Sequence, residues 1–227
     1  KGAAHMILTD DNFATIVAAV KEGRGIYANI KKAIQFLLSS NIGEIITIFI
    51  ATLIGWPTPL LPIHLLWVNL VTDSLPALAL GMEPVENNVM EDKPRKKNES
   101  IFANGMGIII ALQGLMIGAL SLVAFYLGYN VMEGKGNIML GQTMAFTVLA
   151  VSQLFHAFNV KSKRSIFKAG ITSNIYLVAA FFVGFLLQYI VLGIPAMERI
   201  FKLAPLNSME WLLVIGLSFA PIVIVEI

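Results

Sequence analysis

The chain has 227 residues, of which 57% are hydrophobic and only 13% are charged, with a formal net charge of +2. Soluble domains carry about twice that share of charged residues, so the composition indicates an integral membrane protein. The absence of cysteine excludes disulfide bonds and thiolate metal sites. Any metal ion would therefore be bound through oxygen atoms or through one of only three histidines.

Before the first apolar stretch, the sequence predicts a long cytosolic helix. Asp10, Asp11 and Asn12 are residue types that cap helix amino termini, and apolar residues then recur at helical spacing. We predict a stalk helix over residues 12–33 that continues into the membrane, about 40 residues in all. Gly23 and Gly25 should together cost about 2 kcal/mol relative to alanine, so a break between two helices is the alternative.

Six apolar stretches are long enough to cross a bilayer, which requires about 20 helical residues. We therefore predict an all-α membrane protein, a six-span transmembrane helix bundle with the stalk extending from its first helix. The predicted spans are residues 34–54, 60–80, 102–127, 142–158, 175–192 and 209–225.

The basic residues predict the orientation of these spans. Only three of the sixteen Lys and Arg residues, Lys135, Arg199 and Lys202, lie in the connections after the first, third and fifth spans. Cytosolic loops of membrane proteins are enriched in Lys and Arg. Both termini and the connections after the second and fourth spans are therefore expected in the cytosol.

The first two spans carry polar residues where hydrocarbon requires apolar ones. A carboxylate at the centre of a spanning helix costs about 3 kcal/mol. In the first span, Asn41 and Glu44 share one helix face; in the second, Asn69, Thr72 and Asp73 do so at spacings i, i+3 and i+4. Because a short connection makes the two helices antiparallel neighbours, we expect these faces to meet near the middle of the membrane.

The composition of these faces predicts an oxygen-ligated cation site. Pro76 has no N–H to bond the Thr72 carbonyl, so we expect unwound backbone there. Calcium takes six to eight oxygen ligands in flexible arrangements, whereas magnesium tends to retain its waters, and sodium fits two carboxylates less well. The alternative is that these groups only hydrogen-bond one helix to the other. Gln153, His156 and Asn159 are weaker candidates, with His156 read as a packed residue.

Two segments point to a family: "LTDDNFATIVAAVKEGRGIYANIKKAIQFLLSSNIGE" and "LLWVNLVTDSLPALALG". They resemble the carboxyl-terminal part of P-type cation-transporting ATPases, above all calcium pumps of the sarco/endoplasmic-reticulum type and their bacterial relatives. The similarity covers essentially the whole chain, as the last six of ten membrane helices. It implies metal ligands at Asn41, Glu44, Asn69, Thr72 and Asp73. An eighth-helix Glu of the family corresponds to Gln153, so we expect one calcium per cycle rather than two.

The resemblance also implies the surrounding machinery. The expected function is ATP-driven calcium export from a plasma membrane, coupled to aspartyl phosphorylation and to proton counter-transport. ATP and magnesium would be bound by parts that this chain lacks, since it has no "DKTGT" or "PEGL" motif. Residues 1–11 would be a remnant of the phosphorylation domain and residues 34–227 the transport region. The expected partners are the lipid bilayer, the other pump domains and four earlier membrane helices, with no nucleic acid. Alone, the chain should hydrolyse no ATP.

Three other functions are open to such a sequence. A self-contained secondary cation/proton exchanger or channel could use six spans and buried carboxylates, but it has no need of a long cytosolic stalk. A P-type pump for another cation would share the same architecture. A non-transporting membrane scaffold would leave Glu44 and Asp73 unexplained.

Overall fold

The structure, a computed structural model, describes residues 12–85, 88–91, 93–94, 99–132, 136–162 and 170–226, without the side chain of residue 171. Within these ranges the regular structure is entirely helical, which confirms the predicted all-α fold. The α-helices are α1 (Phe13–Leu53), α2 (Pro62–Trp67), α3 (Ser74–Gly81), α4 (Met106–Tyr126), α5 (Ile138–Lys161), α6 (Ile175–Gly193), α7 (Pro195–Phe201) and α8 (Ser208–Glu226). Two π-helical segments follow α2 and α4, at Val68–Thr72 and Leu127–Val131, and a 3₁₀ turn at Ile171–Ser173 precedes α6.

Six helical stretches in this part of the chain are long and apolar enough to cross a membrane, as predicted. They are Phe13–Leu53, Pro62–Gly81, Met106–Val131, Ile138–Lys161, Ile175–Gly193 and Ser208–Glu226. The third begins four residues later than expected, because Asn104 and Gly105 both adopt positive φ angles, of 62° and 80°, in the turn before it. The fourth is longer than expected at both ends.

The first helix is continuous from the stalk into the membrane. It runs for 41 residues, and the Asn12 side chain caps it by accepting a hydrogen bond from the Ala14 N–H at 3.0 Å. Asp10 and Asp11 lie outside the described residues. A break at the glycines is therefore wrong. Gly25 is buried against Val85. A Cβ atom added to Gly25 would lie only 2.9 Å from Val85 Cγ1, so the glycine permits a close approach between the stalk and the chain after α3.

Helix α5 forms the centre of the bundle. Its span is 78% buried, against 22–39% for the other five, and it packs against α1, α4, α6 and α8. Phe146 and Leu149 of α5 join Ile117 and Phe125 of α4 in the main apolar cluster. The sequence could not rank the helices in this way, because hydropathy does not report burial here: four of the five less buried spans are more apolar than the α5 span.

Glycines bring α1 and α4 into direct backbone contact. A Cβ atom on Gly114 would lie 2.7 Å from Ile42 Cβ and 3.0 Å from the Ser39 carbonyl oxygen. One on Gly118 would lie 3.0 Å from the Gly43 carbonyl oxygen. Membrane helices associate largely through such close packing, since lipid tails solvate apolar side chains equally well. This contact fixes the depth of the α1 segment that carries the first polar face.

The short helix α7, between the fifth and sixth spans, was not expected from the sequence. The His64 ring fastens it to α2: Nδ1 accepts from the Leu61 N–H, so Nε2 is the protonated nitrogen and donates to the Phe201 carbonyl at 2.7 Å. A seven-residue helix has too little periodicity to detect. Pro195 in its first turn is the one local signal.

We predict that Gly114→Ala destabilises the bundle, whereas Gly107→Ala on the same helix does not. The first change overpacks the α1–α4 contact, at a cost of about 1–3 kcal/mol. The second meets nothing within 4 Å and should gain up to about 1 kcal/mol in helix propensity. Thermal unfolding of the detergent-solubilised protein tests this, and equal melting temperatures for the two variants would contradict the assigned contact.

Candidate cation site

The second span changes its helical geometry where its polar residues lie. In the π-helical segment Val68–Thr72, the Asp73 N–H donates to the Val68 carbonyl at 2.9 Å, one residue further back than in an α-helix. The Ser74 hydroxyl donates to the Asn69 carbonyl at 2.9 Å. Such π-bulges in α-helices are frequent at functional sites.

The unwound backbone expected at the Thr72 carbonyl takes the form of this π-helical turn, which ends at Thr72. Helix α3 starts at Ser74, so Pro76 lies in its first turn. Proline is tolerated there because the first N–H groups of a helix have no intrahelical partner. The loosening is a π-helical turn that ends before the proline.

The two polar faces meet at Glu44 and Asn69. The Asn69 amide nitrogen donates to both Glu44 oxygens, at 3.0 and 2.9 Å, and to the Leu65 carbonyl at 2.9 Å. Glu44 is 6% exposed. The expected contact between the first two spans is thus present, and it is made by a carboxylate and an amide.

Asp73 lies beside this pair and is completely buried. Neither of its carboxylate oxygens has a hydrogen-bond partner among the described residues. The Ser40 hydroxyl is near it but also makes no hydrogen bond of normal geometry, and Glu44 is close enough to repel Asp73 electrostatically. A buried unpaired charge costs several kcal/mol, so this arrangement calls for a proton or a cation.

Asn41 and Thr72 complete the predicted set. The Asn41 amide donates to the Leu37 carbonyl at 2.9 Å, and the buried Thr72 hydroxyl donates to the Val68 carbonyl at 3.1 Å. Their remaining oxygen lone pairs are available to a ligand. Among the described residues, no three His, Cys, Asp or Glu side chains cluster as a metal site, so amide, hydroxyl and backbone oxygens would have to supplement the two carboxylates.

Of the three α5 residues predicted as weaker candidates, only Gln153 lacks a partner altogether among the described residues. It is completely buried and neither amide atom makes a hydrogen bond within the described residues. His156 has its Nε2 3.2 Å from the Ser39 hydroxyl, and the Asn159 amide donates to the Pro221 carbonyl at 2.8 Å. His156 and Asn159 thus pack helix against helix.

Helix α5 places Gln153 at the depth of the carboxylates. Within α1, Ser39 meets His156; beyond the carboxyl end of α1, the Thr58 carbonyl accepts from the Gln142 amide at 2.8 Å. The two helices are therefore antiparallel. One turn from His156, Gln153 lies level with the α1 segment that contains Glu44.

Ser40 is the residue of this region that the sequence reading missed. It is completely buried and faces Asp73. A signal was present, because Ser40 lies four residues before Glu44 and so shares its helix face.

We predict that Asn69→Ala destabilises the protein more than Asn41→Ala does. The first change leaves the buried Glu44 carboxylate without its donor, at a cost of about 1–3 kcal/mol. The second removes one bond within α1 and serves as the matched control. Thermal unfolding in detergent with a chelator measures both, and equal losses would show that the Glu44–Asn69 contact contributes little.

Comparison with known proteins also points to cation transport. A family model described as "Cation transporting ATPase, C-terminus" matches residues 57–227. The chain is 48% identical over its whole length to "Calcium-transporting ATPase 1" of Bacillus cereus, of which it covers 27%. It is 43% identical over 97% of its length to "Calcium-transporting ATPase" of Bacillus subtilis, and 35% identical over its whole length to "Calcium-transporting ATPase 3, endoplasmic reticulum-type" of Arabidopsis thaliana.

The chain covers 25% of each of the latter two, and so spans about a quarter of the length of the curated relatives it matches. Its own family match extends over most of its length and includes five of the six spans. The chain therefore belongs to the cation-transporting ATPases of the P type, as their carboxyl-terminal membrane region.

Proposed function

We propose that this chain is the ion-binding membrane region of an ATP-driven calcium pump. The observation that carries the proposal is the buried pair of Glu44 and Asp73, with Asp73 lacking any partner among the described residues. The relatives named above are calcium-transporting ATPases about four times as long. We use "complete pump" for the corresponding longer polypeptide, which would bind ATP and magnesium and carry the phosphorylated aspartate outside these 227 residues.

In this proposal, calcium binds between α1 and the second span. Its ligands are side-chain oxygens of Asn41, Glu44, Asn69, Thr72 and Asp73, with Gln153 as a further neutral one. Calcium accepts six to eight oxygens at 2.3–2.6 Å in irregular arrangements, which suits a mixed set. Two positive charges also offset the repulsion between the two carboxylates.

The stalk would transmit phosphorylation to the site. Helix α1 is a single rod of 41 residues, about 60 Å long. The same rod carries Glu44, so a displacement of its cytosolic end reaches the candidate site without an intervening joint. Movement of α1 relative to the other helices would open the site alternately to the two sides.

Proton counter-transport follows from the same carboxylates. Once calcium leaves, desolvation and a like-charged neighbour disfavour ionisation of both groups, so Glu44 and Asp73 would take up protons. The asymmetric distribution of Lys and Arg favours cytosolic termini, and the similarity to bacterial pumps favours the plasma membrane. Calcium would then be exported.

The rival functions receive less support. A self-contained exchanger or channel does not account for the family membership or for the rigid stalk, and a scaffold does not account for the unpaired Asp73. A pump for another cation remains an outcome of the experiments below.

We predict that Asp73→Asn abolishes calcium-dependent phosphorylation of the complete pump by ATP. The change removes one of two charges that would neutralise the ion. Phosphorylation by inorganic phosphate, which requires the empty site, should survive and reports correct folding. Glu210→Gln is the matched control, because Glu210 is 1% exposed but accepts from the Asn207 N–H at the start of α8. Wild-type calcium affinity in Asp73→Asn would refute the assignment.

We also predict one calcium per phosphorylation site. Two calcium ions would bring four positive charges near only two carboxylates of this chain. Gln153→Glu should strengthen calcium binding and add capacity for a second ion, whereas Gln188→Glu should not. Gln188 is equally buried, but its amide oxygen accepts from the Trp67 indole at 2.9 Å. Equilibrium binding of radioactive calcium decides this, and two ions in the wild-type protein would contradict it.

A further inference from the structure

Four helices converge on Glu83, which follows the carboxyl end of α3. Its side chain is 9% exposed, and Oε2 accepts a hydrogen bond from the Asn174 amide at 2.7 Å. The same Asn174 nitrogen donates to the Ala79 carbonyl at 2.8 Å, and Asn174 Oδ1 accepts from the Leu177 N–H at 3.0 Å. Asn174 therefore joins the end of α3 to the start of α6, satisfying backbone groups that both helix ends leave unpaired.

The stalk and α5 reach the same residue. The Asn29 amide of α1 donates to the Glu83 carbonyl oxygen at 2.6 Å. Lys161, the last residue of α5, attracts the Glu83 carboxylate electrostatically and donates to the Gly170 carbonyl at 2.7 Å. The backbone of Glu83 is thus tied to α1, while its side chain is tied to α6 and faces α5.

The buried Glu83 carboxylate is unfavourable by itself but forms a strong hydrogen bond with Asn174. Burying a charge costs free energy, yet a hydrogen bond with one ionised partner is roughly twice as strong as a neutral one. This bond spans 91 residues of sequence. It therefore acts on the relative position of two helices, since it contributes nothing to either helix by itself.

The helix that this bond holds, α3, is the one that follows Asp73 in the second span. Helix α3 has only eight residues and starts directly after Asp73. An isolated helix of that length is marginal, so its position depends on its contacts with the rest of the bundle. Asp73 and Glu83 are about 15 Å apart along the helix axis, and the π-helical segment precedes Asp73. Glu83 attaches the carboxyl end of this half-span to α6 through a side-chain hydrogen bond.

We propose that Glu83 and Asn174 are positioning residues for the cation site: their hydrogen bond holds α3 against α6 and so sets the position of Asp73 relative to Glu44. This inference rests on the proposed calcium-pump function. When α1 moves, the bond to Asn174 opposes the attachment of the Glu83 backbone to α1 through Asn29, and so favours keeping Asp73 with the α6 side of the bundle while Glu44 travels with the stalk helix. The distance between the two carboxylates then changes with the position of α1.

The test is a donor–acceptor exchange in the complete pump. Asn174→Asp preserves the cap on α6 but replaces the donor to Glu83 and to the Ala79 carbonyl with a second carboxylate. It should raise the calcium concentration for half-maximal phosphorylation by at least about tenfold, because the charged hydrogen bond to Glu83 and the neutral one to Ala79 are both lost. Phosphorylation by inorganic phosphate should stay within about twofold. Glu83→Gln in the Asn174→Asp background should recover most of the affinity, because the new amide donates to the new carboxylate.

Two controls separate positioning from folding. Asn137→Asp changes the residue that caps α5, whose side chain accepts from the Leu140 N–H, and should leave calcium affinity unchanged. If Asn174→Asp fails to accumulate, Asn174→Ser keeps a capping oxygen, replaces the amide that reaches Glu83 with a shorter hydroxyl and should also lower calcium affinity. Unchanged calcium affinity in a folded Asn174 variant, or no recovery in the double variant, overturns the inference.

The proposed function is judged separately, by the wild-type complete pump. If it forms a phosphoenzyme in response to a different cation, calcium is the wrong substrate. The positioning role of Glu83 and Asn174 is then tested by measuring the affinity of the variants for that cation. If calcium activates the wild type and the variants behave like it, only the positioning inference fails.

Discussion

The burial of two carboxylates in the first two spans is the constraint on which the rest of this structure depends. Asp73 is completely buried and Glu44 nearly so, and the two are close enough to repel each other. Neither hydrocarbon nor a packed protein interior stabilises such a pair. The surrounding helices must therefore hold the two groups together against their repulsion, at a position where an ion or protons can compensate them.

Three features of the surrounding helices hold the two carboxylates together from different sides. The glycine contact between α1 and α4 fixes the helix of Glu44 by backbone packing. The π-helical segment gives the second span an extra residue in the turn before Asp73, and Asn69 then reaches both oxygens of Glu44. The buried helix α5 closes the remaining side and presents the Gln153 amide, which has no partner among the described residues, at the same depth.

Rigidity is distributed unevenly around this site. Helix α1 is one long rod, whereas the second span is divided into α2, a π-helical segment and α3. A rod transmits displacement along its length; a divided span can adjust its halves separately. The polar groups lie between the continuous helix α1 and the divided second span. In this arrangement Glu44 can move relative to Asp73 without unfolding either helix.

Sequence alone determined the features that depend on local periodicity and hydropathy: the six spans, the capped stalk and the two polar faces on neighbouring helices. These follow from burial in a membrane and from the helical repeat, both of which act within about 20 residues. Tertiary structure decided what depends on residues far apart in sequence. It placed α5 at the centre, gave the loosening before Pro76 the form of a π-helical turn, paired His156 with Ser39 and left Gln153 without a partner among the described residues. The bond between Glu83 and Asn174 belongs to this second group, because its partners are 91 residues apart and neither helix end shows, by itself, which other end it will meet.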